Sequence, residues 1–101
     1  MVKHIVMWTI KESSQPREKL ELMADLKSRL LALKEEIPEI INMKINFNAI
    51  FAPHENYDVV LECEFASWAH LEVYQKHPAH VAVAEYVKNI RQNRAAIDYE
   101  F

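Results

Sequence analysis

Apolar and polar positions alternate or recur along the chain in segments that predict its elements one by one. Residues 3–11, KHIVMWTIK, are dense in β-branched and aromatic side chains and predict a strand. His4, Val6 and Trp8 fall on one side of it, Ile5 and Met7 on the other. SSQP, residues 13–16, predicts a helix start with Pro16 in the first turn. Leu20, Met23, Leu26, Leu30, Leu33 and Ile37 then recur at spacings of three and four, the stripe of an amphipathic helix that Pro38 ends. INMKINFNA alternates, with Met43, Ile45 and Phe47 on one face, and predicts a second strand. YDVVLECEF predicts a third, with Tyr57, Val59, Leu61, Cys63 and Phe65 on one face. Ser67 is placed to cap a helix running to about Lys76. Pro78 interrupts it, AHVAVAEYVKNIR continues as helix, and AIDYEF alternates again as a closing strand.

The order is β-α-β-β-α-β, an α+β class of ferredoxin-like architecture with both helical segments on one face of an antiparallel sheet. The first strand is apolar on both sides, and helices cover only one of them. A second copy of the chain, packed sheet against sheet, is expected to cover the other.

Composition narrows the class. A chain of 101 residues predicts one domain, and half of its residues are hydrophobic, enough for a core without staples. The single cysteine, Cys63, excludes an internal disulfide and a cysteine-cluster metal site. No glycine is present, so neither a Walker loop nor a GxGxxG fingerprint exists. The net charge is −3 with acids and bases mixed, and no nucleic-acid partner is expected. The opening MVKHIVMWTIK is too short and too interrupted by charge for a signal peptide or a membrane span. The expected location is cytoplasmic, with no membrane partner.

MVKHIVMWTIK, EIPEI, YDVVLECEF, YQKHPAHVAV and the terminal DYEF resemble the stress-responsive A/B barrel domain (Dabb) family along nearly the whole chain. That resemblance implies a homodimeric α+β barrel. It does not imply one activity, since most members have none assigned. A plant polyketide cyclase of the family shares HPAHV and performs a cofactor-free aldol cyclisation. Its pocket residues fall on His4, Tyr74, His80 as general base, and Asp98. A further pocket histidine falls on Val59, which breaks the cyclase pattern. Asn46 stands where many members have glycine, which implies a different bend.

The residues suggest chemistry on their own account too. His80 has an ordinary titration range near neutrality and suits a general base, with Tyr74 to fix its tautomer. The plainer reading gives His80 a structural hydrogen bond to backbone or to His4. His77, before a proline at the end of a helical piece, suits a cation on the last carbonyls. His77 and His80 straddle Pro78 with no acid or cysteine pattern to complete a ligand set, so neither a metal site nor a cofactor is expected. Trp8 suits the core or the flat wall of a ligand pocket, and Val59 would line the same pocket. Asp98 is expected to pair with a lysine, with a role orienting a neighbour as the alternative. His54 and His70 are expected on the surface, and Cys63 as an inert core thiol.

Three classes of function follow. One is a dimeric binder of a small apolar or aromatic ligand. The second is a cofactor-independent cyclase or monooxygenase using His80, Tyr74 and His4. The third is an assembly unit whose oligomer is its purpose.

Overall fold

The computed structural model describes residues 1–13 and 15–101. The elements are β1 Val2–Ile10, α1 Pro16–Glu36, β2 Asn42–Phe47, β3 Val59–Phe65, α2 Trp68–Lys76, α3 Pro78–Ile90 and β4 Arg91–Glu100. The strands form one sheet in the order β2-β3-β1-β4, with every neighbouring pair antiparallel. This is the ferredoxin-like arrangement.

Local chemistry explains most boundaries. Of the predicted helix start, Ser14 lies outside the described residues. Ser13 Oγ accepts from the Gln15 N–H at 3.1 Å and donates to Glu18, while Pro16 opens α1. Ile37 ends the helix in an extended conformation before Pro38. Ser67 caps α2 by accepting from the His70 N–H at 3.2 Å. Pro78 sits in the first turn of α3, where its missing N–H costs nothing.

Three sequence expectations shift. β3 starts at Val59, two residues later than expected, because the Asp58 carboxylate accepts from the Ile10 N–H at 2.8 Å and lies 3.3 Å from Lys19 Nζ. Asp58 thus ties the end of β1 to α1 through its side chain, while its backbone N–H donates to the Trp8 carbonyl and its carbonyl accepts from the Asn48 N–H, both at 2.9 Å. The last strand starts at Arg91, directly after α3, so it is longer than AIDYEF. Its first half, RQNRA, lies at the sheet edge and is mostly exposed, so no apolar alternation marks it. Leu20 is 65% exposed, one turn ahead of the buried stripe that starts at Met23.

The core lies between the sheet and the helices. β1 contributes Val2, Val6, Trp8 and Ile10, with His4 as the buried polar residue among them. α1 contributes Met23, Leu26, Leu30, Leu33 and Ile37; β3 contributes Val59, Leu61, Cys63 and Phe65. On α3, the Tyr86 ring receives the Arg29 guanidinium of α1 at 3.9 Å from its centroid. The opposite sheet face carries Ile5, Met7, Val60 and Ile97, in register as Ile5 opposite Ile97 and Met7 opposite Val60. Among the described residues, no helix covers that face. Among the described residues, no helix is long and apolar enough to cross a membrane.

Candidate functional site

The break between α2 and α3 builds one side of the site. His77 ends α2 and starts α3, and its Nδ1 accepts from the Ala79 N–H at 3.1 Å. This corrects the cation expected on the last carbonyls of α2. The backbone N–H of His77 already bonds to the Tyr74 carbonyl, and its ring turns forward to cap α3 with a lone pair.

His80 turns the other way. Its Nδ1 lies 3.1 Å from the Gln75 carbonyl oxygen, one of the carbonyls at the end of α2 that the helix leaves free. A carbonyl only accepts, so Nδ1 carries the proton and Nε2 keeps its lone pair. The two histidines therefore serve opposite helix ends. Among the described residues, no group of three or more His, Cys, Asp or Glu side chains gathers to hold a metal ion.

Tyr74 stands at the centre. It is fully buried, with its ring centroid 4.4 Å from that of His80, 5.1 Å from Phe65 and 6.1 Å from His4. The His4 contact is edge-on, at 67° between ring planes. The Tyr74 hydroxyl is buried and has no hydrogen-bond partner among the described residues. The Cys63 thiol lies beside it, close enough for each group to shift the other's titration, but the pair lacks the geometry of a hydrogen bond. Burial holds both as neutral acids. It raises the Tyr74 phenol well above its usual range and pushes the Cys63 thiol up to about 12.

His4 Nδ1 lies 2.5 Å from Asp98 Oδ1, across the pairing of β1 with β4. The expected lysine partner of Asp98 is thus replaced by His4. The reason is register: His4 and Asp98 sit directly opposite each other, with their side chains on the same sheet face. Since the carboxylate accepts, His4 Nδ1 donates, which fixes the orientation of the ring.

These side chains line a cavity of about 140 Å³ between the sheet and the helices. His4, Tyr74 and His80 share its wall, without a hydrogen bond between any two of them. Trp8 lines it as well. Val59 does not: it is buried at 2% exposure, opposite Trp8 in the sheet, and Leu61 supplies the β3 wall instead. Burial depresses the pKa of His80 below its ordinary value, and the nearby Arg94 charge pushes the same way against the Gln75 hydrogen bond. A neutral imidazole with a free Nε2 can accept a proton or a hydrogen bond from a bound molecule.

Sequence reasoning missed Lys88, Arg91 and Arg94, which also line the cavity. Their spacing of three in VKNIRQNR was a visible signal, but it spans a helix end and a strand start, where no single periodicity applies.

His54 and His70 are exposed.

The model of the stress responsive A/B barrel domain matches residues 2–101. The chain belongs to the Dabb family. A dimeric, ferredoxin-like protein of unknown function from Bacteroides fragilis is 32% identical to it, with a TM-score of 0.88. That match covers 99% of this chain and 95% of the other. A Dabb family protein from Mesorhizobium loti is 27% identical at a TM-score of 0.75, over 99% of this chain and 95% of its own. A hydroxynitrile lyase from Passiflora edulis shares the fold at a TM-score of 0.80 but only 16% identity, over 97% of this chain and 90% of its own. No curated protein matches the chain.

Proposed function

We propose that this Dabb chain is a homodimer whose subunits each bind a small apolar or aromatic molecule between sheet and helices. One observation carries the reading: a cavity between sheet and helices is walled by Trp8, Leu61 and Tyr74 and holds two histidines in an otherwise apolar lining. The cavity has room for about one six-membered ring. Trp8 and Leu61 offer such a ring apolar walls.

Support for the dimer comes from the uncovered sheet face, with Ile5, Met7, Val60 and Ile97, and from the dimeric relative in Bacteroides fragilis. Packing two such faces together would bury more than about 1,000 Å².

The test uses Trp68→Phe, which leaves Trp8 as the sole tryptophan. Trp68 is an exposed residue outside the cavity. Titration with phenol should change Trp8 emission saturably, and His80→Ala in that background should weaken the response. Emission that changes linearly and identically in both proteins would reject the reading.

A second reading is a cofactor-independent enzyme, with His80 Nε2 taking a proton from a bound substrate and the Asp98–His4 pair placing a second imidazole in the same wall. The fixed tautomer and depressed pKa of His80 favour it. The hydroxynitrile lyase and an antibiotic biosynthesis monooxygenase, each 16% identical, share only the fold. Binding is the preferred reading, because Val59 stands where the cyclase has a pocket histidine. His80→Ala separates the two: loss of a general base costs on the order of 10²–10⁴ in rate on any substrate that turns over.

A further inference from the structure

The cavity's mouth differs in character from its walls. Its inner surface is apolar apart from His4, Tyr74 and His80. At its edge stand Lys88, Arg91 and Arg94, and no aspartate or glutamate lines it. This cationic cluster sits on a chain whose net charge is −3, so it opposes the overall sign. Lys88 is engaged with Glu85 at 3.4 Å. Among the described residues, Arg91 and Arg94 form no ion pair.

Position gives both arginines reach. Arg94 is opposite Trp8 in the β1–β4 pairing, so its side chain leaves the sheet on the Trp8 side. Its charge is felt at His80. Arg91 is the first residue of β4, directly after α3, and is opposite Ile10. Both therefore lie on the helix side of the sheet, away from the face that carries Ile5, Met7 and Ile97.

We propose that the ligand is a planar single-ring acid, with its ring against Trp8 and its carboxylate on Arg91 and Arg94. The inference rests on the binding reading above and adds the ligand's charge. Guanidinium groups suit it, because their planar fork matches a carboxylate in two parallel hydrogen bonds. The ring matches the cavity's 140 Å³, and His80 Nε2 can meet a polar substituent on it.

Matched pairs of probes test it by calorimetry on the intact protein: benzoate against benzamide, and 4-hydroxybenzoate against 4-hydroxybenzamide. Each acid should bind at least about tenfold more tightly than its amide, as charge-assisted hydrogen bonds would give. Added salt should narrow the gap. Arg91→Gln with Arg94→Gln should remove most of it, weakening the acids far more than the amides. Because the double variant could perturb the sheet edge, Arg94→Glu is a second check, which should turn the preference away from the acids while the circular dichroism stays native. Amides binding as well as acids would overturn the anionic inference and leave the binding reading intact. A preference for acids unchanged in both variants would overturn the assignment to these arginines. If neither member of either pair binds, the binding reading and this inference fail together.

Discussion

His4 Nδ1 meets Asp98 Oδ1 at 2.5 Å, joining the central strand β1 to the edge strand β4. The pair fixes which nitrogen of a buried imidazole faces the cavity. It also satisfies a donor that would otherwise be orphaned beneath the helices. Asp98→Ala removes the acceptor and should destabilise the fold by about 1–3 kcal/mol, the cost of a buried unpaired donor. Asp98→Asn keeps an acceptor and should lose less. Urea unfolding of both variants checks the order; equal stability of Asp98→Ala and wild type would contradict the role given to the pair.

Tyr74 predicts the opposite sign. Its hydroxyl has no partner, so Tyr74→Phe removes a desolvated polar atom while keeping the ring that packs on Phe65 and His80. The ligand-free variant should be as stable as wild type or more stable, by up to about 1 kcal/mol. Chemical unfolding reads the sign, and a variant less stable than wild type would show that the hydroxyl serves the fold.

The pH dependence follows from His80. Its folded pKa lies below the ordinary value of 6.5, so between the two the unfolded chain binds more protons than the native one. Stability contributed at this site is therefore complete above about pH 6.5 and falls as pH drops toward the folded pKa. His80→Asn sets an amide N–H in place of Nδ1–H without a titrating ring, and should flatten that part of the profile. Carboxylates contribute their own slope at lower pH, so the difference between the two proteins is the quantity to plot. Parallel profiles through pH 5 to 7 would count against a depressed His80.

The uncovered sheet face gives a prediction on assembly. Ile97 is 60% exposed and paired with Ile5 at the centre of that face. Light scattering should give twice the 11.9 kDa chain mass for wild type. Ile97→Glu places a charge in the apolar contact and should shift the mass toward a single chain. A monomeric wild type at micromolar concentration would contradict the dimer.

Much of this arrangement is legible in the sequence, for local reasons. The stripe from Met23 to Ile37, the alternation of β1 to β3, the Ser67 cap and the Pro78 break are each written in residues close together in the chain. What escaped depends on distance. The Asp98 partner follows from β4 lying beside β1, a fact of strand order that Asp98's neighbours do not carry. His77 escaped because it ends one helix and starts another, and the direction of its ring decides which end it serves. β4 was cut short because an exposed edge strand has no buried face to impose alternation. Arg91 and Arg94 escaped for the same reason, although they define the mouth of the cavity.

The cavity claim is most directly tested by the five histidines themselves. Their imidazole ¹⁵N resonances, followed while 4-hydroxybenzoate is titrated in, report five positions at once. His80 and His4 line the cavity, whereas His54 and His70 are exposed outside it. Saturable shifts at His80 and His4, with His54 and His70 unmoved, are the predicted result. Shifts absent from His80 and His4, or spread evenly over all five, would contradict a ligand site between sheet and helices.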